Sequence, residues 1–95
     1  MKYVMFELDL GGSLRQKIPV IFPSFLVHEI VARAFEQALA EHDIAAEPVS
    51  AGEVSVFGPG VRCGGSSETM DLSSDPKDAE IVAFYDYVHG VVDAG

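Results

Sequence analysis

Ninety-five residues make one domain's worth of chain, able to bury roughly 60–65% of its unfolded surface but too short for two cores. Six Lys and Arg against fifteen Asp and Glu give a net charge of −9, while 48% apolar content excludes the core-less composition of a disordered chain. A surface this acidic repels phosphate backbones, so direct nucleic-acid binding is not expected and a protein partner with a basic face is.

The first six residues are followed by Glu7 and Asp9 before an apolar region of useful length can form, so no secretory signal is read there. The longest apolar run, 18–27, contains Pro19 and Pro23 and falls short of the ~20 residues that a bilayer crossing requires. The single cysteine, Cys63, can form neither an internal disulfide nor a multi-thiolate metal site. The expected setting is the cytoplasm, with no membrane association and no cofactor.

In chain order, Val4, Phe6, Leu8 and Leu10 alternate with Glu7 and Asp9, the period of a strand with one buried face. Leu14, Ile18, Val20 and Phe22 continue the even parity with Arg15 and Lys17 between them. Even residues can face even residues only across an odd-numbered loop, so Gly11-Gly12-Ser13 is predicted to turn a hairpin. That register sets Leu10 against Leu14 and Phe6 against Ile18 inside, with Asp9 opposite Arg15 and Glu7 opposite Lys17 outside.

Pro23 ends the second strand and Ser24 is a candidate helix cap. Val27, Ile30, Val31, Ala34, Phe35, Ala38 and Leu39 then recur at helical spacing. The other face carries His28, Glu29, Arg33, Glu36, Gln37 and Glu41 and is expected in water, with Glu29 and Arg33 in the favourable ion-pair order.

Residues 48–57 read as a strand whose buried parity changes from Val49 and Ala51 to Val54 and Val56, which places a bulge at Gly52. Gly58-Pro59-Gly60 turns the chain so that a two- or four-residue loop pairs Val56 with Val61 and Val54 with Cys63. Residues 68–72 are a further strand candidate. Asp75 as cap and Pro76 at the first helical position begin a second helix, with Asp78 and Glu80 in its positive first turn. Its predicted buried stripe is Ile81, Phe84, Tyr85 and Val88, with His89 and Gly90 at its end and a tail over 91–95.

The fold class is therefore α+β in a single domain spanning 1–95. A predominantly antiparallel sheet of four or five strands, in the order ββαββ(β)α, has two helices packed on one face. The hairpin's other face carries Tyr3, Met5, Pro19 and Ile21, more apolar surface than a small sheet leaves exposed, and Val91-Val92 adds to the tail. A second copy or a segment of this chain covers that face, with a symmetric homodimer as the expected form.

Gly60 to Ser66 has the glycine spacing of a phosphate loop, but Ser66 stands where the lysine is required, so turns and strand ends are the better reading. His28-Glu29 begins like a zinc-protease motif, yet Ala32 occupies the position of the second histidine. Cys63, with glycines and serines after it, has the makings of a nucleophile if His28, His42 or His89 lies beside it. Alternation puts it on the same side as Val61, where a thiol acts as a small apolar group and is inert.

The charge is unevenly spread: residues 1–35 carry four bases and three acids, and residues 36–95 two bases and twelve acids. Asp78 and Asp86 fall on the expected outer face of the second helix, Asp75 and Glu80 crowd its start, and Glu68 and Asp71 precede it. One acidic surface made of these six residues is the expected partner-binding face.

At Pro48-Val49-Ser50-Ala51-Gly52 and Cys63-Gly64-Gly65-Ser66-Ser67-Glu68, followed by Leu72-Ser73-Ser74 and Asp78, the sequence resembles short uncharacterised proteins encoded by bacteriophages and prophages. The likeness covers about half the chain and implies a context, a small accessory protein inside a bacterial host, without implying an activity or a ligand. The expected function is a non-enzymatic acidic binding or regulatory protein engaging a basic surface of a host protein. The alternative is a small enzyme or ligand-binding domain that uses Cys63 with a histidine.

Overall fold

The computed structural model describes residues 1–57 and 60–85, with 56 and 57 described by their backbone. The first hairpin consists of β1 (Lys2–Asp9) and β2 (Arg15–Phe22), paired antiparallel. Its register satisfies charge and hydrophobicity together: Phe6 faces Ile18, Glu7 faces Lys17 and Asp9 faces Arg15. Gly11 and Gly12 turn the chain at φ 101° and 59°, values that glycine adopts without steric cost, and the Leu10 N–H donates to the Leu14 carbonyl at 3.0 Å. Leu10 and Leu14 themselves are exposed, because they lie at the tip beyond the last strand pair, Asp9 with Arg15.

β3 (Ala45–Phe57) adds to the other edge of β1, and β4 (Gly60–Gly64) adds to β3, giving a four-stranded antiparallel sheet in the order β2-β1-β3-β4. The β3–β4 register is the expected one: Phe57 pairs with Gly60, Val56 with Val61 and Val54 with Cys63, which selects the two-residue loop. The bulge is not at Gly52. Met5 pairs with Ser50 and Phe6 with Pro48, so the extra residue is Val49. Pro48, lacking an N–H, sits beside it on a stretch of β3 that pairs with β1 alone. Gly52 is constrained by space instead, since a Cβ there would collide with the carbonyl oxygen of Gly64.

Tyr3, Val4, Met5 and Phe6 are all 0% exposed, which alternation along a strand permits only if both faces of the sheet are covered. Val4, Phe6 and Leu8 join Phe22, Ala51 and Ala32 in one core, whereas Tyr3 and Met5 join Val54 and Val82 in another. The helices therefore pack on opposite faces of the sheet and not together on one. A strand carrying four consecutive apolar residues gives two to each side, and each pair needs its own cover. Tyr3 and Met5 are covered by a segment of this chain, the second helix.

That first cover is α1 (His28–Ala40). It begins at His28, since the segment after Pro23 forms a turn in which the Leu26 N–H donates to the Pro23 carbonyl at 3.1 Å, and Val27, with no side-chain cap, takes the capping position expected of Ser24. His28 and Ala32 are buried, Val31, Phe35 and Leu39 are half-buried, and the Phe35 ring lies 4.7 Å from that of Phe6. The His28 Nε2–H donates to the Gly52 carbonyl at 2.9 Å, and its ring meets Phe22 edge-on. This anchorage keeps Val31, Phe35 and Leu39 of the predicted stripe on the core but turns the rest of it outward: Ile30 is 65% exposed and Val27 is at the surface, as are Phe25 and Leu26 ahead of the helix.

The chain then makes a small second sheet of β5 (Ser66–Ser67) and β6 (Leu72–Ser73), lying against β3. The strand expected over 68–72 is mostly the turn between them, closed by the Asp71 N–H donating to the Glu68 carbonyl at 3.3 Å. Met70 and Leu72 seal the α1-side core.

The second helix, α2, covers 78–85 among the described residues. Asp75 caps it as expected: its Oδ1 accepts from the Lys77 N–H at 2.8 Å, and its own N–H donates to Asp78 Oδ2 at 3.0 Å. The buried stripe runs through Asp78 and Val82, with Ile81 and Tyr85 half-buried, while Phe84 is 62% exposed with its ring against the edge of Tyr85. Val88, His89, Gly90 and the 91–95 tail lie outside the described residues. No helix among the described residues is long and apolar enough to cross a membrane.

Because backbone meets backbone at Gly52, Gly52→Ala has no flexible neighbour to displace. It should lower stability by about 2–3 kcal/mol, the upper range for overpacking, measured by urea unfolding. An unchanged urea midpoint would show that β3 and β4 can part there freely.

Candidate functional site

Of the six acids expected to make one surface, Glu68, Asp71, Asp75 and Glu80 are exposed, Asp86 lies outside the described residues, and Asp78 is only 1% exposed. The exposed four are also divided. Glu68 and Asp71 bound the β5–β6 turn on the α1 side of the sheet, whereas Asp75 and Glu80 belong to the start of α2 on the other side. Asp78 points inward because it is the third residue of the reciprocal cap, and the face that reaches back to Asp75 is the face turned to the sheet.

Asp78 is the centre of a buried polar cluster. Its Oδ2 accepts from the Tyr3 hydroxyl at 2.6 Å and the Ser50 hydroxyl at 2.7 Å, as well as from Asp75, while Oδ1 has no partner among the described residues. Burial pushes the Tyr3 hydroxyl well above its ordinary value of 10.0, and the hydrogen bond to Asp78 and that residue's charge push the same way, against a smaller opposing hydrogen bond with Ser74. Burial and then the charge of Asp78 push the Cys63 thiol up from 9.0, opposed by a hydrogen bond with Tyr3.

This arrangement holds protons in place and does not activate a nucleophile. Cys63 is half-buried beside the carboxyl of Asp78, where its thiolate is disfavoured. Its expected histidine partner is not supplied by His28, which is engaged with Gly52 and Phe22 on the α1 side, or by His42, exposed in the turn after α1. His89 lies outside the described residues.

On the α1 side the fold makes a groove of about 300 Å³ between that helix and the β5–β6 hairpin. Its helix wall consists of Glu29, Ala32, Arg33 and Glu36, and its hairpin wall of Thr69, Met70 and Leu72, with Pro48 of β3 between them. Arg33 is ion-paired to Glu29 one turn away. Glu36 makes no ion pair or hydrogen bond through its side chain among the described residues, and neither do Glu68 and Asp71, which bracket Thr69 and Met70 in the hairpin turn. The groove thus has an apolar floor, one base neutralised by Glu29, and one unpaired carboxylate, Glu36, at its rim. Glu29, Arg33 and Glu36 share the helix face expected in water, so their chemistry was visible in the helical spacing. Their hairpin wall was not, because it comes from residues more than 30 positions away.

No protein-family model, no curated protein and no solved structure matches this chain.

The perturbed hydroxyl and thiol give a pH signature. Unfolded Tyr and Cys release their protons at lower pH than Tyr3 and Cys63 do in the folded chain, so rising pH favours the unfolded state. The stabilisation is fully present below about pH 9, and it should decline as pH rises through 9 and 10. Tyr3→Phe should cost about 1–3 kcal/mol at neutral pH, by removing a donor to a buried carboxyl, and should flatten that alkaline decline. Urea midpoints across pH measure both effects, and an unchanged alkaline slope in the variant would assign the decline to other groups. Separately, Cys63 should react with iodoacetamide more slowly in the folded protein than in urea at about pH 8, and equal rates would contradict the raised thiol.

Proposed function

We propose that this chain is a non-enzymatic acidic binding protein, an accessory factor of the phage or prophage kind, which engages a basic surface of a protein inside a bacterial host. The observation that carries the reading is the surplus of unpaired surface acid. Arg15 pairs with Glu7 and Asp9, and Arg33 with Glu29, while Glu36, Glu41, Glu68, Asp71 and Glu80 make no ion pair among the described residues. Surface pairs add little to stability, so a large unpaired surplus is not explained by folding and is suited to steering a cationic partner. The cytoplasmic setting follows from the same reading, since a host partner would be met there.

Immobilised protein exposed to bacterial lysate should retain partners at about 0.1 M salt and release them at about 1 M, where the range of charge interactions falls from about 10 Å to about 3 Å. Retention that ignores salt would replace the electrostatic reading with an apolar one, and recovery of nothing at either salt would remove it.

A further inference from the structure

The groove between α1 and the β5–β6 hairpin combines two chemistries that rarely favour the same ligand. Its floor is hydrocarbon: Ala32 is buried in the α1-side core, and Met70, Leu72 and Pro48 complete the surface. A methionine in that floor adapts to irregular shapes. Its charged rim is anionic, because Arg33 is already held by Glu29 and Glu36 in the same wall is unpaired among the described residues. Anions and phosphate backbones are repelled there, and a purely apolar ligand would strip water from the carboxylates without replacing it.

A long basic side chain answers both demands. Its methylene stem can lie on the apolar floor while its cationic head stays at the carboxylate rim, the division of labour by which Lys and Arg cover apolar surface with the charge kept wet. A volume of about 300 Å³ is enough for one such side chain and part of a neighbour, and too small for a folded element. We infer that this groove is the docking site for an Arg or Lys side chain, flanked by apolar residues, in an extended segment of a protein partner. A second copy of this chain is a poor occupant, because two molecules each carrying −9 repel. The inference rests on the reading of the protein as an acidic binding protein and adds to it a location and a ligand class.

The test uses the full chain and a fluorescein-labelled heptapeptide with arginine between two leucines, with glutamine- and glutamate-substituted peptides as controls. Binding is read by fluorescence anisotropy and located by amide chemical shifts. Expected are shifts at Ala32, Arg33, Thr69 and Met70, an affinity about tenfold lower for Glu36→Gln, and no binding to the glutamate peptide. Thr69→Trp, which fills the groove from an exposed position, should abolish binding, with amide shifts of the four-stranded sheet kept as the sign that the fold is retained. Equal binding of the glutamine peptide would overturn the role of the cation. Binding that shifts residues near Asp75 and Glu80 and ignores both variants would overturn the groove while leaving the acidic-binding reading in place. No binding up to about 1 mM peptide would also overturn the groove, and the salt dependence of lysate partners would then judge the broader reading independently.

Discussion

Two-sided burial of β1 is the constraint on which the rest of this structure depends. A central strand with Val4 and Phe6 on one face and Tyr3 and Met5 on the other cannot be satisfied by a single layer of helix. One layer would leave roughly half of that apolar surface in water, at about 25 cal/mol for each Å². The chain answers with α1 on one side and α2 on the other, so the small domain is built as three layers around its first strand. The positions of the groove, the hairpin and the acidic residues follow from that division.

The second side is closed with polar chemistry as well as packing. Among the described residues of α2, Asp78 ties the helix to β1 through Tyr3 and to β3 through Ser50 in the same few ångströms in which it caps its own helix through Asp75. A carboxyl so placed is specific in a way that a leucine would not be. It can be satisfied in one rotation of the helix, the rotation that also directs Val82 to the core and Phe84 to the surface. The bond also removes Asp78 from the surface charge, so the acidity of the molecule is distributed differently from the acidity of its sequence.

On the first side, the same logic works through His28 and leaves more surface open. Its hydrogen bond to Gly52 and its contact with Phe22 set α1 so that the small Ala32 approaches the sheet. Phe25 and Ile30 are then left outside, and the Glu29–Arg33–Glu36 edge is left beside the β5–β6 hairpin. The groove is a by-product of that rotation, walled by an edge of the helix that needed no partner of its own in order to fold.

Local chemistry was legible without the fold. The hairpin register was readable because the charge pairs Glu7–Lys17 and Asp9–Arg15 repeat the parity of the apolar residues. The β3–β4 pairing was readable from alternation, and the start of α2 from Asp75 and Pro76. What the tertiary structure alone decided is which face each element turns inward. Val27, Ile30, Ala34 and Ala38 keep helical period as faithfully as the residues that are buried, so periodicity could not choose between two apolar stripes on α1. The choice was made by His28 meeting a carbonyl 24 residues away. Asp78 shows the same limit more sharply, for an acid in a first helical turn looks solvent-facing until a tyrosine 75 residues earlier is brought within 2.6 Å of it. Composition, charge and turns are properties of neighbours along the chain, whereas helix rotation, the groove and the fate of each carboxyl depend on contacts between residues that the sequence keeps far apart.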